Sequence, residues 1–251
     1  MKLILDIGNT RTKVGIFDAE RLIHFDAFPS QEIISRVSLL KNSYNVTHAL
    51  YCQVGAGDYL VLKELQAIIP THRLSHTSRL PFGSVCTPFT SLGLDRIGLM
   101  AAAVKNDKHP VLVIDAGTCV TYDIMDSQKT HLGGVISPGL SMRYRAMHEF
   151  TANLPQLTPI DPDTLTGTGT QNAMHIGAVI GLASELDGFI ESYRAQYREL
   201  TVILTGGDAE FLRVRIKNDI FAHSNFLLEG LNFILDLNLD SCSGKSSSSS
   251  L

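Results

Sequence analysis

The sequence has few cysteines, and their spacing disfavours the usual roles of clustered thiols. Four occur in 251 residues, and no two of them form a Cys-x-x-Cys pair. We therefore expect reduced, buried thiols rather than disulfides, redox pairs or a zinc site. His72 and His76 are spaced like two ligands on one helical face, but no third ligand is near, which disfavours zinc. The four cysteines are Cys52, Cys86, Cys119 and Cys242.

The chain also lacks the features of membrane and nucleic-acid proteins. No apolar run approaches the roughly 20 residues that a membrane span needs. There is no long basic run, and the formal net charge is −4, which gives little support for a nucleic-acid surface. A strand-like run begins at Lys2 and leaves no room for a signal peptide. We expect a cytoplasmic protein that binds neither membranes nor nucleic acid.

A Walker A loop is absent as well, and the chain has a long-range repeat instead. Residues 3–18 contain an apolar run, an Asp, a Gly-containing turn, a second apolar run and a closing Asp, and residues 112–126 contain the same series. From first to last Asp, the two copies differ in length by one residue. This is no solenoid repeat. It predicts two related domains with a nucleotide cleft between them.

The periodicity of apolar residues predicts the same plan in both halves: three meandering strands, then alternating helices and strands. Such a chain is an α/β protein with mixed sheets flanked by helices. We predict domains at 1–106 and 107–240 and a disordered, Ser-rich tail at 241–251. Strands are predicted at 2–6, 13–18, 22–28, 47–54, 73–74, 110–115, 120–125, 130–136 and 201–204, and helices at 30–41 (with Ser30 as N-cap), 59–69, 94–105, 141–150, 170–197, 208–215 and 225–237.

The turn of the first copy has the chemistry of a phosphate loop. Glycine allows close backbone approach, successive turn N–H groups can bind an anion, and hydroxyls and a lysine add donors. A single copy would favour a plain hairpin turn, but the second copy at residues 115–118 favours the phosphate loop. The candidate residues are Asp6, Ile7, Gly8, Asn9, Thr10, Arg11, Thr12 and Lys13.

Asp6 and Asp115 occupy matching strand ends in the two copies. We expect them on opposite walls of the cleft, where a carboxylate can hold hydrated Mg²⁺ against phosphates. One of the two could equally bind a monovalent cation. The alternative is that each carboxylate only caps its turn.

The segment Gly93-Leu94-Asp95-Arg96 opens a helix. An Asp in a first turn is commonly a surface charge that compensates the helix dipole. Near the domain boundary, Asp95 could instead accept a hydroxyl proton during phosphoryl transfer, and Arg96 could pair with a substrate carboxylate or phosphate. The residues alone leave both interpretations open.

Two glycine-containing segments are weaker signals. Thr205-Gly206-Gly207 follows a strand and would let a base or ribose lie against the backbone. Thr170 follows Gly169 at the start of a long helix, where it could cap the helix or contact a ligand.

Together these motifs resemble the type III pantothenate kinases, also called the Bvg accessory factor family, within the acetate and sugar kinase, Hsc70 and actin superfamily. The likeness covers residues 1 to about 240, and the order and spacing of its motifs are highly specific. It is carried by DIGNTRTK at 6–13, GLDR at 93–96, DAGTCVTYD at 115–123, GGVISPG at 133–139, GTQNAMHIG at 169–177 and TGG at 205–207.

The resemblance implies two duplicated actin-like, ribonuclease H-like domains that phosphorylate pantothenate with ATP to 4′-phosphopantothenate, the first step of coenzyme A synthesis. It implies Asp95 as general base and Asp6 as the residue that places Mg²⁺ through water. It further implies a homodimer, with Thr170 contacting pantothenate across or beside the dimer interface. By the same resemblance residues 6–13, Thr118, Gly206 and Gly207 would bind ATP, Gly93, Leu94 and Arg96 would contact pantothenate, and Asp115 would bind a monovalent cation, K⁺ or NH₄⁺.

One segment departs from the family pattern. Many members carry a Tyr about seven residues before the glycine of GLDR, whereas residues 85–92 contain none and are one residue longer between Pro and Gly. The pantothenate pocket could therefore differ. Two alternatives stay open: a kinase for another small alcohol, and a nucleotide-binding regulator without significant turnover. The intact set of Asp6, Asp95 and Asp115 argues against the regulator.

Overall fold

A computed structural model describes residues 1–8, 11–53 and 59–243 of the chain. The chain divides into two compact units: unit 1 is Met1–Asp107 together with the chain from Asn225, and unit 2 is Lys108–Ser224. Each unit contains a mixed β-sheet and helices, as the sequence predicted.

The strands and helices of the described residues have the following bounds. The strands are β1 Lys2–Ile7, β2 Thr12–Asp18, β3 Arg21–Phe28, β4 His48–Gln53, β5 Thr71–Arg73, β6 Gly83–Ser84, β7 Val111–Ala116, β8 Cys119–Met125, β9 Thr130–Pro138, β10 Thr201–Thr205 and β11 Phe221–Ala222. The helices are α1 Ile33–Tyr44, α2 Tyr59–Ile68, α3 Leu94–Asn106, α4 Leu140–Glu149, α5 Thr170–His175, α6 Gly181–Gln196, α7 Ala209–Leu212 and α8 Phe226–Ser243, with 3₁₀ turns at Ser30–Glu32 and Phe89–Ser91 and a π-helical turn at Ile176–Ile180.

The sheet of unit 1 has the strand order β3-β2-β1-β4-β5. β1 is antiparallel to β2 and parallel to β4. Side chains of a strand alternate between faces, and β1 uses both. Leu3 and Leu5 pack into a core with α1 and α2, whereas Ile4 packs into a core with α3 and α8. Asp6, two residues after Ile4, therefore lies on the α3 and α8 face.

Unit 2 repeats this topology. Within it the strands run in the order β9-β8-β7-β10-β11, with β7 antiparallel to β8 and parallel to β10. Its core is built from Leu112 and Ile114 of β7, Leu204 of β10 and the apolar faces of α4, α6 and α7. The repeat in the sequence is thus a repeat in strand order and direction.

Helix α8 is where the structure divides the chain differently from the predicted domains. The sequence placed residues 107–240 together, but α8 clusters with unit 1. The reason is its packing on α3: a Cβ added at Gly230 would overlap the carbonyl oxygen of Gly98, so the two helices cross at backbone contact. The helix also continues to Ser243, past the predicted tail start at residue 241. Residues 244–251 lie outside the described part.

Other local predictions differ in detail. Ser30 does not cap α1, because it lies in a 3₁₀ turn and its hydroxyl pairs with that of Thr12 at 3.0 Å. The predicted helix at 208–215 is regular only over Ala209–Leu212, and the short strands β6 and β11 fall in predicted loops. Their two-residue length is too short to leave a periodicity in the sequence.

The predicted helix at 170–197 spans Thr170–Gln196 with the π-helical turn inside it. It is long and apolar enough to cross a membrane by composition, but half of its most apolar window is buried. Leu182, Leu186 and Ile190 pack into the core of unit 2. The buried part of the helix therefore belongs to the core of unit 2.

Candidate active site

Asp6, the penultimate residue of β1, is a buried carboxylate in unit 1. Its side chain is 8% exposed, and its strand neighbours are Lys13 on β2 and Cys52 on β4. Residues opposite one another in neighbouring strands point to the same face. The Asp6 carboxylate therefore has the Lys13 ammonium on one side and the Cys52 thiol on the other.

The N-cap of α3 is Gly93, and Asp95 is the second residue of the helix, in its first turn. Its Oδ1 accepts a hydrogen bond from the backbone N–H of Arg96 at 2.8 Å. A Cβ added at Gly93 would overlap that same Oδ1. Glycine at this position lets the carboxylate fold over the helix N-terminus, where the dipole favours negative charge.

The charges of Asp6 and Asp95 interact within unit 1. The pKa of Asp6 is raised from 3.8 to about 6, mainly by burial and also by the charge of Asp95, against the lowering effect of Lys13. Burial also raises the pKa of the Cys52 thiol well above its ordinary value, and the charges of both carboxylates add to that rise. Two carboxylates and a neutral thiol thus share a region of unit 1 with Lys13 as a nearby cation.

Several groups of the candidate phosphate loop already have partners within unit 1. Gly8 N–H donates to the Arg11 carbonyl at 3.2 Å, which closes the turn. The Thr12 side chain is buried and bonded to Ser30, and the Arg11 guanidinium donates to the Ala27 carbonyl. Ile7 is part of the core with α1 and α2. Asn9 and Thr10 lie outside the described residues.

A cavity of about 260 Å³ lies in unit 1 on the other face of the sheet. Ile7 and Tyr51, which line it, belong to the core with α1 and α2, whereas Asp6 lies on the α3 and α8 face. The cavity is therefore separate from the two carboxylates. Its lining residues are Ile7, Ser30, Gln31, Ile33, Ile34, Tyr51, Gln53 and Val61.

In unit 2, Asp115 and the predicted glycines meet at one end of the sheet. Gly206 has φ of 100°, and an added Cβ would overlap both Asp115 Oδ1 and the Ala116 carbonyl oxygen. Gly139 N–H donates to the Thr118 carbonyl at 3.1 Å. Only glycine permits this approach of β10 to the end of β7. The side chain of Thr118 is exposed beside this turn.

A side-chain network that the sequence analysis missed holds the end of β9 in unit 2. Glu185 on α6 accepts hydrogen bonds from the Arg143 guanidinium and from the Tyr122 hydroxyl at 3.0 Å. The Arg143 Nε donates to the Pro138 carbonyl at 3.0 Å. Burial alone would raise the pKa of Glu185, but the hydrogen bonds of Arg143, Ser137 and Tyr122 lower it overall. Arg143 and Glu185 are 42 residues apart, so no local pattern marks the pair.

The two remaining predicted site residues, Thr170 and Gly207, lie where there is room for a ligand. Thr170 is the first residue of α5, is exposed, and follows Gly169, which is the N-cap; Thr170 therefore does not cap the helix. Gly207, next to Gly206, has open space where a Cβ would stand.

The segment that lacks the expected Tyr is organised around His76. Its Nε2 lies 2.8 Å from the Leu92 carbonyl oxygen, and its ring makes an edge-on contact with Phe89, with centroids 5.7 Å apart. Leu92 immediately precedes Gly93. In this chain a histidine and a phenylalanine flank the GLDR motif.

No group of three or more His, Cys, Asp or Glu side chains that could hold a metal occurs within residues 1–8, 11–53 and 59–243. Any cation bound at Asp6 or Asp115 would take its other ligands from backbone, hydroxyls, water or substrate. Mg²⁺ commonly binds in this way, since it keeps several waters and uses one or two carboxylates.

Comparison with known proteins gives consistent results. A family model described as type III pantothenate kinase matches residues 2–192. The chain is 40% identical over 242 residues to the type III pantothenate kinase of Flavobacterium johnsoniae, covering 96% of this chain and 99% of the relative. It is 41% identical over 243 residues to the one from Christiangramia forsetii, covering 95% and 99%.

Solved structures agree with the predicted fold class. A protein described as a Baf family transcriptional activator from Campylobacter jejuni matches with a TM-score of 0.63 at 19% identity, covering 95% of this chain and 99% of that one. A glucokinase from an Antarctic psychrotroph matches with a TM-score of 0.53 at 13% identity, covering 94% and 98%. At such identities the likeness shows a shared fold, and it confirms the predicted actin-like class.

Proposed function

The chain belongs to the type III pantothenate kinase family, and from this we propose that it transfers the γ-phosphoryl group of ATP to pantothenate. The products are ADP and 4′-phosphopantothenate, and the reaction is the first step of coenzyme A synthesis. The observation in the structure that best supports this is the buried Asp6 carboxylate, whose pKa is raised by burial and also by the charge of Asp95. We place the reaction in the cytoplasm.

In this proposal Asp95 is the general base. Its carboxylate accepts the proton of the pantothenate primary hydroxyl while that oxygen attacks the γ-phosphorus and the bond to the ADP oxygen breaks. The hydrogen bond from the Arg96 N–H and the N-terminus of α3 hold the carboxylate in one orientation. Arg96 itself would pair with the carboxylate of pantothenate. Gly93 and Leu94 form the backbone beside the acceptor.

Asp6 suits a Mg²⁺ ion bound through water. A buried carboxylate near a second one is poorly compensated by Lys13 alone, as its raised pKa reflects, and a divalent cation would restore the charge balance. When bound, Mg²⁺ supplies charge neutralisation to the ATP phosphates. Lys13 and the backbone of residues 6–13 would contact the same phosphates.

Unit 2 would supply the remaining ATP contacts and a monovalent cation site. We assign Thr118, Gly206 and Gly207 to ATP, because an exposed hydroxyl and two glycines leave backbone accessible beside Asp115. Asp115 would bind K⁺ or NH₄⁺, since its neighbours on both adjacent strands are threonines, Thr121 and Thr205, which offer neutral oxygens.

We also propose a homodimer in which Thr170 contacts pantothenate at or near the interface. Unit 2 exposes large apolar side chains before Thr170 in the chain, with Phe150 84% and Leu165 78% exposed. Light scattering after gel filtration should give the mass of two chains, and Phe150→Ser should shift the population towards one chain. A wild-type protein of single-chain mass at micromolar concentration would refute the dimer.

The reaction itself is tested by the acceptor that drives ADP release. With ATP and Mg²⁺, pantothenate should stimulate ADP release, and mass spectrometry should detect 4′-phosphopantothenate. A panel of sugars and other small alcohols is the control. Turnover with one of these instead would identify a different kinase. ATP binding without any acceptor-dependent turnover would support a regulator.

A further inference from the structure

Thr121 on β8 has a buried hydroxyl group. The residue is 9% exposed, and its Oγ1 is buried without a hydrogen-bond partner among the described residues. Buried polar atoms are nearly always paired, and an unpaired one commonly marks a bound water or ion. The Thr121 hydroxyl therefore indicates a bound water or ion beside it.

The sheet of unit 2 places this hydroxyl beside Asp115. Asp115 on β7 is opposite Thr121 on β8 and opposite Thr205 on β10. Side chains opposite one another share a face, with Cβ atoms about 4.5–5.5 Å apart across an antiparallel pair. The flanking Ile114 and Ala116 belong to the core on the other face. One carboxylate is therefore flanked by two threonines in a row across three strands.

We propose that the Thr121 Oγ1 is a ligand of the monovalent cation that Asp115 binds. This inference rests on the proposed cation role of Asp115. Hard cations bind oxygen ligands, and one carboxylate with neutral hydroxyl and carbonyl oxygens carries a total charge that matches a single positive charge. The hydroxyl then obtains the partner that its burial requires.

The test compares Thr121→Val with Thr121→Ser. Valine keeps the shape and removes the oxygen, whereas serine keeps the oxygen. Thermal unfolding is followed with saturating Mg²⁺ and ADP while KCl replaces tetramethylammonium chloride at constant ionic strength. Wild type and Thr121→Ser should melt at higher temperature as K⁺ rises. Thr121→Val should need at least about tenfold more K⁺ for half of the effect.

A second comparison separates cation binding from a structural role. Without K⁺, Thr121→Val should melt no lower than wild type, because it removes a buried hydroxyl that has no partner. A lower melting temperature would mean that the hydroxyl stabilises the fold through another partner, and an unchanged K⁺ midpoint would mean that it does not bind the cation. Either result overturns the inference while the Asp115 site stands. A wild type that does not respond to K⁺ rejects both.

Discussion

The ionised Asp6 carboxylate should lower the free energy of unfolding of the protein, and Asp6→Asn tests this directly. Asparagine has nearly the same shape but no charge. The pKa of Asp6 rises from 3.8 to about 6 because of burial, with a further contribution from Asp95. Each tenfold change in proton affinity is worth about 1.4 kcal/mol. The ionised carboxylate therefore costs roughly 3 kcal/mol of folding free energy at neutral pH.

The sign of the pH dependence follows from the direction of the shift. The folded state binds the proton of Asp6 more tightly than the unfolded state, so the cost is absent below the unfolded pKa of 3.8 and complete above the folded pKa of about 6. Without Mg²⁺ or ATP, wild type and Asp6→Asn should have similar stability near the acidic end of this window. Their difference should grow as the pH rises and level off at neutral pH.

Urea unfolding at a series of pH values measures this difference, and Asp18→Asn is the matched control. Asp18 is an exposed aspartate that ends β2 in the same sheet, and its substitution should change the unfolding free energy by less than about 0.5 kcal/mol. Asp6→Asn should be more stable than wild type at pH 7 and should lose turnover. If it is less stable than wild type, or if the difference does not change with pH, burial does not raise the pKa of Asp6.

Three further predictions follow from packing and hydrogen bonds. Gly230→Ala should destabilise the protein by about 1–3 kcal/mol in thermal unfolding, because its Cβ has no room against α3. Gly188→Ala is the control: Gly188 is exposed on α6 and has open space where a Cβ would stand. This substitution should be neutral or stabilising by up to about 1 kcal/mol. Glu185→Gln should weaken the Arg143 contact and destabilise the protein at pH 7. Its stability deficit should shrink as the pH falls below 4.5, since a lowered pKa stabilises the fold fully above that value and progressively less below it. Equal deficits at pH 4 and 7 would contradict this. Cys52 should resist iodoacetamide at pH 7 in the folded protein and react in urea, as peptide mass spectrometry can measure, because burial keeps its thiol protonated.

The sequence predicted most of the fold because its signals are local. The two Asp-containing strand pairs, the helix that begins at Leu94 and the glycine of TGG all depend on neighbours in the chain, and the structure has them in the expected elements. The packing of α8 on unit 1 was not predictable in this way. It depends on Gly98 and Gly230, whose close contact has no local signature.

In the candidate site, too, features that depend on neighbours in the chain were predictable and features that depend on tertiary contacts were not. The residue types and spacing predicted Asp6 and Asp95 as site residues, but the effect of the Asp95 charge on the pKa of Asp6 could be inferred only from burial and geometry. The Thr12 hydroxyl was expected to face a ligand, and strand alternation turned it towards Ser30 instead. The unpaired hydroxyl of Thr121 is visible only when every donor and acceptor around it is known.

We propose that Asp95 accepts the hydroxyl proton of pantothenate, and the turnover of Asp95→Asn tests this role. Steady-state ADP release should be measured with saturating pantothenate, with Asp18→Asn as the charge-matched control. The kcat of Asp95→Asn should fall by about 10²–10⁴-fold, while its affinity for ATP, measured by calorimetry, stays within about twofold of wild type. Turnover near the wild-type rate would show that Asp95 is not the general base.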